Sequence, residues 1–294
     1  MKNKLIILLL FIAATMGNTF AQSVAEVENY YNVAVKLYYG TEDTSQDYTS
    51  AYLCFMQVAN MIENSNLETQ FKDVYWYIGR CYGSGEGVSM DIDKAIQYYK
   101  KSALLGDPTS QSSLANHYFY GVGVEQDYKA AFYWYTQAAG KGDIVAQCQL
   151  GDCYGNGYGV EEDEKMAWIW HSKAAEKGYD EAQLRMGHHC LFGSDDITDF
   201  NQAVLWYEKA SNQGNIVATY FLGYCYLLNK DNDKAVLYLR IAAEAGFSEA
   251  QYLLAKCYKD GIGVSKNLIE AKKWCSRSAD QGNTSAEELL QELR

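Results

Sequence analysis

Proline is nearly absent from the sequence, since Pro108 is the single one in 294 residues. Helices in this chain are therefore not interrupted by proline, and the 24 glycines have to make the turns. Basic residues are also scarce, with 25 lysines and arginines against 37 acidic residues. An acidic surface repels the phosphates of nucleic acids, so we expect no nucleic-acid partner.

Long apolar runs are missing too, and the one short run lies at the start of the chain. Lys2 and Lys4 precede an apolar stretch from Leu5 to Ala14, which is too short to span a bilayer. The segment ends at Ala21, a small residue of the kind found before signal-peptide cleavage sites. Residues 1–21 are therefore predicted to be a signal peptide cleaved after Ala21. The alternative is an uncleaved anchor. With cleavage, we expect an exported bacterial protein, periplasmic or secreted, without a transmembrane segment.

What the sequence does contain is a repeat of 36 residues. A glycine that follows an alanine-rich helix end recurs at steps of 36, 36, 36, 32 and 36 residues, and an alanine inside the preceding helix recurs at the same steps. The glycines are Gly106, Gly142, Gly178, Gly214, Gly246 and Gly282, and the alanines are Ala95, Ala131, Ala167, Ala203, Ala235 and Ala271. A fixed period of this length predicts stacked supersecondary units that bury their apolar faces against one another.

Each unit is predicted to be a helix, a loop, a second helix and a short turn. In the unit from Ile144 to Tyr179, small or apolar residues from Ala146 to Tyr154 follow the period of a helix face. A glycine-rich loop follows, and Asp163 is placed to cap the next helix. That second helix ends at Gly178.

Two further repeated positions support this plan. The predicted N-cap position of the second helix holds Asp91, Asp127, Asp163, Asp199, Asp231 and Asn267. A large aromatic position holds Tyr98, Trp134, Trp170, Trp206, Tyr238 and Trp274, which we expect to be core residues that fill the space between units.

The eight cysteines follow the repeat as well. Four of them share one position, at Cys81, Cys153, Cys225 and Cys257. Equivalent residues of adjacent helical hairpins are about 10 Å apart, whereas a disulfide needs Cα atoms within about 7 Å. We therefore expect mostly buried free thiols. A pair between Cys257 and Cys275 stays open, and so does a redox or metal role for the thiols.

The repeated pattern resembles a known family. Ala-x-x-x-Leu-Gly-x-x-Tyr-x-x-Gly-x-Gly-Val, followed by Asp and an Ala–Trp–Ala-Ala helix, is similar to the Sel1-like repeat, a relative of the tetratricopeptide repeat. The similarity is close in Gly79–Gly106, Leu114–Gly142, Leu150–Gly178 and Leu254–Gly282. It implies an all-α fold, an α-solenoid of about six to seven stacked antiparallel helix pairs that forms a right-handed superhelix.

The resemblance also sets the predicted domain boundaries. After the signal peptide, residues 22–71 are expected to be a diverged repeat or cap, residues 72–283 the repeat array, and residues 284–294 a capping helix. The fourth unit loses the loop signature, with Asp196 in place of valine. The fifth unit is four residues shorter between Tyr226 and Ala235, which predicts a tight turn there.

Catalytic motifs are missing from the sequence. No phosphate-binding glycine loop, no serine–lysine acylation motif and no Gly-x-Ser-x-Gly is present. Of the four histidines, His117 and His189 share the repeated cysteine position, and the members of that row are too far apart to share one metal ion. We therefore expect no enzyme activity, no cofactor and no metal.

A binding function is what the resemblance implies. Sel1-like proteins are usually adaptors or scaffolds, often exported, that bind proteins or peptides along a concave face. By this resemblance the protein-binding groove is lined by Trp76, Arg80, Asn116, Phe119, Tyr120, Asp152, His188, Tyr220, Tyr224, Tyr252 and Lys256. Mixed aromatic and polar residues suit peptide capture. About half of the groove residues are expected to be exposed.

The resulting hypothesis is an exported, non-catalytic and monomeric adaptor with a protein or peptide ligand. Its alternative is an enzyme or regulator that acts on cell-wall or β-lactam compounds, because some exported Sel1-like proteins are described in that way. Those proteins carry paired cysteines in each repeat, and this sequence does not.

Overall fold

The computed structural model describes residues 20–63, 65–193 and 199–293, which fall into two units that meet between Asp163 and Glu164. The described residues form fifteen α-helices. Apart from an isolated bridge between Thr41 and Thr44, no strand is found among them. In the same part of the chain, no helix combines the length and the apolar character that crossing a membrane requires.

The helices follow one another along the chain in both units. The first unit contains α1 (Phe20–Tyr39), α2 (Tyr48–Ile62), α3 (Asp73–Ser84), α4 (Ile92–Leu104), α5 (Pro108–Tyr120), α6 (Tyr128–Gly140) and α7 (Ile144–Asn156). The second contains α8 (Glu164–Glu176), α9 (Asp180–Phe192), α10 (Phe200–Asn212), α11 (Ile216–Leu228), α12 (Asn232–Glu244), α13 (Ser248–Asp260), α14 (Leu268–Ala279) and α15 (Thr284–Glu292). Within each unit, successive helices pack side by side, which confirms stacked helix pairs.

Two predicted segments fall on residues outside this description. The first 19 residues of the predicted signal peptide are outside it, and so are Ser194, Asp195 and Asp196 of the altered fourth loop. The last helix, α15, corresponds to the predicted C-terminal cap and buries Ala286 and Leu289.

Side-chain caps begin most of the helices. At the second helices, the carboxylate or amide oxygen of five predicted caps accepts hydrogen bonds from backbone N–H groups: Asp91, Asp127, Asp199, Asp231 and Asn267. The first helices have a second set of caps that the sequence reasoning missed: Asp107, Asp143, Asn215 and Asn283. Each of these residues directly follows a repeat glycine such as Gly106, and that order is the signal that could have found them.

Buried glutamines join the ends of four second helices to the following first helices. The amide of Gln111 donates to the carbonyl of Ala103 at 3.0 Å, and Gln147, Gln183 and Gln251 repeat this bond to Ala139, Ala175 and Ala243. The last carbonyls of a helix have no partner inside it. These glutamines therefore satisfy groups that the stacking of helices removes from water.

The aromatic position of the second helix corrects an expectation. Trp274 is buried as expected, but the other five members are only half-buried, and the position that is buried in all six units is the next one along. It holds Tyr99, Tyr135, His171, Tyr207, Leu239 and Cys275. The outer faces of two tryptophans are covered by lysine, with Lys173 and Lys209 each 3.9 Å from the ring centre of the tryptophan three residues earlier.

The cysteines and the short loop agree with the expectations. All eight cysteines are buried and free, so Cys257 and Cys275 do not pair. The loop between α11 and α12 has only three residues, whereas the loops at 85–91, 121–127 and 157–163 have seven. Lys230 in this short loop has φ 60°, the one positive φ outside glycine among the described residues.

Candidate protein-binding surface

The first helices of the first unit carry six of the predicted groove residues. Trp76 and Arg80 lie four residues apart on α3, so they share one helix face. Asn116, Phe119 and Tyr120 lie on α5, and Asp152 lies on α7. Arg80 and Tyr120 are exposed, whereas Trp76, Asn116, Phe119 and Asp152 are half-buried. We call this set the first-unit face.

Arg80 is held between aromatic rings on this face. Its guanidinium carbon lies 5.6 Å from the ring centre of Trp76 and 6.0 Å from that of Tyr38. Its Nε is 3.7 Å from a carboxylate oxygen of Glu86, which also accepts a hydrogen bond from the Tyr38 hydroxyl. Burial acts to lower the pKa of Arg80, but Tyr38 and Glu86 outweigh it and raise that pKa above its ordinary value. The cation is therefore fixed in place while its side chain stays 46% exposed.

Tyr39 extends this face and was not among the predicted groove residues. Its side chain is 59% exposed, and its ring lies 5.1 Å from Tyr38 and 6.2 Å from Tyr77. Tyr77 in turn stacks on buried Phe55 at 4.5 Å. The sequence does contain a signal, because Tyr39 precedes Gly40 as Tyr120 precedes Gly121 at the end of another first helix.

Three groove residues of the first unit also support packing. Trp76 donates from Nε1 to Oγ of Ser113 on the next first helix at 3.2 Å. Asn116 accepts a hydrogen bond from buried Tyr135 at 2.6 Å. Phe119 contacts Tyr120 edge-on at 4.9 Å. Much of this face is consequently pre-organised by contacts within the unit.

The second unit carries the remaining five predicted residues. His188 lies on α9, Tyr220 and Tyr224 lie on α11, and Tyr252 and Lys256 lie on α13. Lys256 is exposed and the other four are half-buried. We call this set the second-unit face. None of the eleven groove residues is fully buried, but only three are exposed, which is fewer than the expected half.

Aromatic contacts hold the second-unit face together. The Tyr220 ring stacks on Tyr224 at 6.4 Å and lies 5.0 Å from Phe247. Burial raises the pKa of Tyr220, so its phenol is neutral at ordinary pH. The ammonium of Lys256 lies 5.6 Å from the ring centre of Tyr252. One aromatic ring thus lies against the cation here, whereas two lie against Arg80.

His188 belongs to an aromatic cluster on the same face. Its ring lies 4.6 Å from Phe221, 5.8 Å from Tyr207 and 6.1 Å from Phe192. Phe192 is 60% exposed. The cluster offers a partly open apolar surface of the kind that accepts side chains of a protein ligand.

The thiols do not have the properties of nucleophiles. Burial is the largest cause that raises the pKa of Cys81, Cys153 and Cys225 to about 12 each, and that of Cys257 to about 11. A reactive cysteine needs a lowered pKa and access to solvent. The repeated thiols therefore act as small apolar core residues.

The family and its relatives agree with this architecture. The Sel1 repeat model matches residues 30–56, 73–107, 108–143, 144–179, 180–215, 216–247 and 248–283. DAP3-binding cell death enhancer 1 of Rattus norvegicus is 41% identical over 78 residues, which are 26% of this chain and 15% of that protein. Chitin synthase regulator SKT5 of Malassezia restricta is 31% identical over 78 residues, 26% of this chain and 5% of that protein. The matches thus span only a small part of these curated relatives.

Two solved structures are similar over most of the chain. The Sel1 repeat protein from Oxalobacter formigenes has 28% identity and a TM-score of 0.69, covering 91% of this chain and 77% of that one. The protective antigen c5321 of uropathogenic Escherichia coli has 29% identity and a TM-score of 0.57, covering 93% of this chain and 67% of that one. Since seven repeats of the family model span most of the sequence, the chain belongs to the Sel1 repeat family, whose members are generally protein-interaction scaffolds.

Proposed function

We propose that the chain is an exported, non-catalytic adaptor that binds a protein or peptide ligand through the first helices of its repeats. The observation that carries this proposal is the placement of two exposed cations against aromatic rings: Arg80 against half-buried Trp76 and buried Tyr38, and Lys256 against half-buried Tyr252. Tyrosine, tryptophan and arginine are the residues that dominate protein-binding energy. The rings are already fixed by internal contacts, so little side-chain entropy is lost on binding.

Export is supported by the sequence of residues 1–21. Two lysines, a short apolar run and a small-residue end have the order of a secretory signal. Expression of the full chain in a bacterial host should yield an envelope protein whose amino terminus is Gln22. A cytoplasmic protein that retains Met1, or one that stays membrane-bound through residues 1–21, would contradict the proposal.

The absence of catalysis is supported by the state of the thiols. All eight are buried, and burial raises the pKa of seven of them, which keeps those seven protonated at neutral pH: Cys54, Cys81, Cys153, Cys190, Cys225, Cys257 and Cys275. Nothing observed among the described residues favours the cell-wall or β-lactam alternative, and the scaffold function needs no nucleophile.

Site-specific crosslinking tests the binding face. A photoreactive phenylalanine analogue is placed at Tyr120 or Lys256, and in control variants at Tyr133 or Leu237. Tyr133 and Leu237 are each 54% exposed but lie on second helices. Illumination of cells should give a discrete adduct, identified by mass spectrometry, at the first-helix positions only.

A second experiment keeps the photoreactive analogue at Tyr120 and replaces Arg80 on the same face. Arg80→Ala with the analogue at Tyr120 should weaken the adduct, whereas Arg80→Lys should retain part of it, because lysine keeps the charge but loses the planar contact. Equal adducts from first-helix and second-helix positions would refute the proposed face.

A further inference from the structure

A second surface lies at the loop edge of the first unit. The loops at 40–47, 85–91, 121–127 and 157–163 join first to second helices, and we call them together the acidic edge. Met90 in these loops is 68% exposed and Val122 is 48% exposed. Tyr39 and Tyr120, at the ends of the preceding helices, are 59% and 60% exposed. Four large apolar side chains thus face solvent along one edge.

From the second loop onwards, each loop of this edge packs against a helix of the preceding repeat. Gly87 lies so close to the backbone of Tyr48 that a Cβ atom could not be accommodated, and Gly159 lies in the same way against Tyr128. The rings of Tyr158 and Tyr128 are 4.9 Å apart. Gly123 is similarly close to the side chain of Ile92, so the loops at 85–91, 121–127 and 157–163 each contact the start of the second helix of the previous repeat, which makes the edge continuous across the unit.

The charge of this edge is of one sign. The four loops contain ten acidic residues and no lysine or arginine. Five of the acids are exposed and, within the described part of the chain, form no ion pair or hydrogen bond: Glu42, Asp43, Glu125, Glu161 and Glu162. Of the remaining loops that join first to second helices, 229–231 and 261–267 together hold one acid and two lysines, whereas 193–199 holds three acids.

The charge imbalance extends to the whole unit. Residues 22–163 contain 19 acidic and eight basic residues, whereas residues 164–294 contain 18 and 15. Carboxylates without cationic partners repel one another, and a cationic ligand relieves that repulsion. Nucleic acids and anionic lipid surfaces are repelled by the same field. The exposed apolar residues add a component that a free metal ion would not use.

We propose that the acidic edge binds a basic segment of another protein, in which lysine or arginine recurs at every third residue and is accompanied by large apolar residues. Adjacent repeats are spaced by about 10 Å, which is the length of about three residues of extended chain. A cation at every third residue would therefore meet each successive loop. This goes beyond the proposed function because it assigns a ligand chemistry to the loops, which border the first-unit face at Tyr39 and Tyr120.

The test uses the mature chain and three synthetic peptides made of five identical triplets. The probe repeats Lys-Leu-Ser, one control repeats Glu-Leu-Ser, and a second control repeats Lys-Ser-Ser. Binding is measured by fluorescence anisotropy. The probe should bind at least about tenfold more tightly than either control, and its affinity should fall as NaCl rises, because salt screens the charges.

Two matched variants separate the edge from general acidity. One carries E42Q, D43N, E125Q, E161Q and E162Q, and the other carries E244Q, E249Q, D260N, E287Q and E288Q at exposed positions of the second unit. Both change the net charge by the same amount. The edge variant should lose at least about tenfold in probe affinity and the control variant less than about threefold. Equal losses, or no binding above the glutamate peptide, would overturn the proposal.

Further measurements test the role of the exposed apolar residues and distinguish two other occupants of the edge, a metal ion and a second copy of the chain. Met90→Ser with Val122→Ser should weaken binding of the Lys-Leu-Ser probe but not of Lys-Ser-Ser. Stoichiometric Ca²⁺ binding that displaces the probe would replace the proposal with a metal site. Concentration-dependent dimerisation that only the edge variant abolishes would replace it with self-association. Lys256→Ala, on the second-unit face and outside these loops, should leave probe affinity unchanged, so failure here is separable from failure at the first-helix faces.

Discussion

The hydroxyl of Tyr135 donates a 2.6 Å hydrogen bond to Oδ1 of Asn116. Tyr135 has no exposed surface, and burial raises its pKa, so the phenol is a neutral donor that depends on this acceptor. Asn116 therefore stabilises the packing of α5 on α6 although it lies on the predicted binding face. A residue can thus occupy a binding position and still be required for the fold.

Removing this acceptor should destabilise the chain. Asn116→Ala leaves the Tyr135 hydroxyl buried without its partner, which costs about 1–3 kcal/mol. The measurement is urea unfolding followed by circular dichroism. Tyr135→Phe should cost less, and the double variant should be more stable than Asn116→Ala alone, because no donor is then left unsatisfied. A double variant as unstable as the sum of both would contradict this account.

The repeat and its loops could be read from the sequence for a physical reason. Helix caps and turn glycines act locally, so Asp91, Asp127 and the three-residue loop that ends at Asp231 are identifiable from residue type and spacing. The same holds for the thiols, because a fixed spacing of about 10 Å between repeats excludes disulfides along the row.

The burial of neighbouring positions could not be read in this way. Trp134 and Tyr135 are adjacent and both aromatic, yet Tyr135 is fully buried and Trp134 is not. Adjacent helix positions differ by about 100°, and a wide apolar stripe includes both. Which one turns inward depends on side-chain contacts between helices. The hydrogen bond at Asn116 and the contacts of Arg80 were unpredictable for the same reason.

Two glycine substitutions should have opposite effects. A Cβ atom on Gly187 would overlap the ring of Tyr207, which has no exposed surface, whereas a Cβ on helical Gly140 meets nothing within 4 Å. Gly187→Ala should therefore destabilise by about 1–3 kcal/mol. Gly140→Ala should stabilise by about 0.4–1 kcal/mol, because it reduces the entropy of the unfolded chain. Thermal unfolding of both variants tests the contrast, and two shifts of the same sign would contradict it.

Stability should fall at alkaline pH through the buried thiols. Burial raises the pKa of Cys225 to about 12 in the folded state, above its value in the unfolded chain. The folded chain therefore binds the proton more tightly, so this contribution is complete below the unfolded pKa and is lost as pH rises towards 12. At pH 10 the loss is up to about 2 kcal/mol for one such thiol.

Cysteine replacement separates this effect from the ionisation of tyrosines. Cys225→Ala should be less stable than the parent at pH 7, because it leaves a small cavity. It should nevertheless lose less stability between pH 8 and pH 10, since one titrating group has been removed. The measurement is the free energy of unfolding in urea at each pH. Parallel pH profiles for the parent and the variant would show that the thiol does not contribute.

Replacement of Lys230 by glycine should increase the stability of the folded chain. It has φ 60° in the three-residue loop between α11 and α12, where Leu228 ends one helix and Asn232 begins the next. A left-handed conformation costs a residue with a Cβ about 1–2 kcal/mol, and glycine adopts it freely. Glycine also has more conformational freedom to lose on folding, so Lys230→Gly should gain about 0.5–1 kcal/mol rather than the full amount. Lys234→Gly, in the first turn of α12, serves as the control and should lose about 1 kcal/mol, because glycine is a poor helix residue and the ion pair of Lys234 with Asp231 is lost. A melting temperature that rises for Lys230→Gly and falls for Lys234→Gly would establish that the shortened loop is strained at this residue, and a fall for both would refute it.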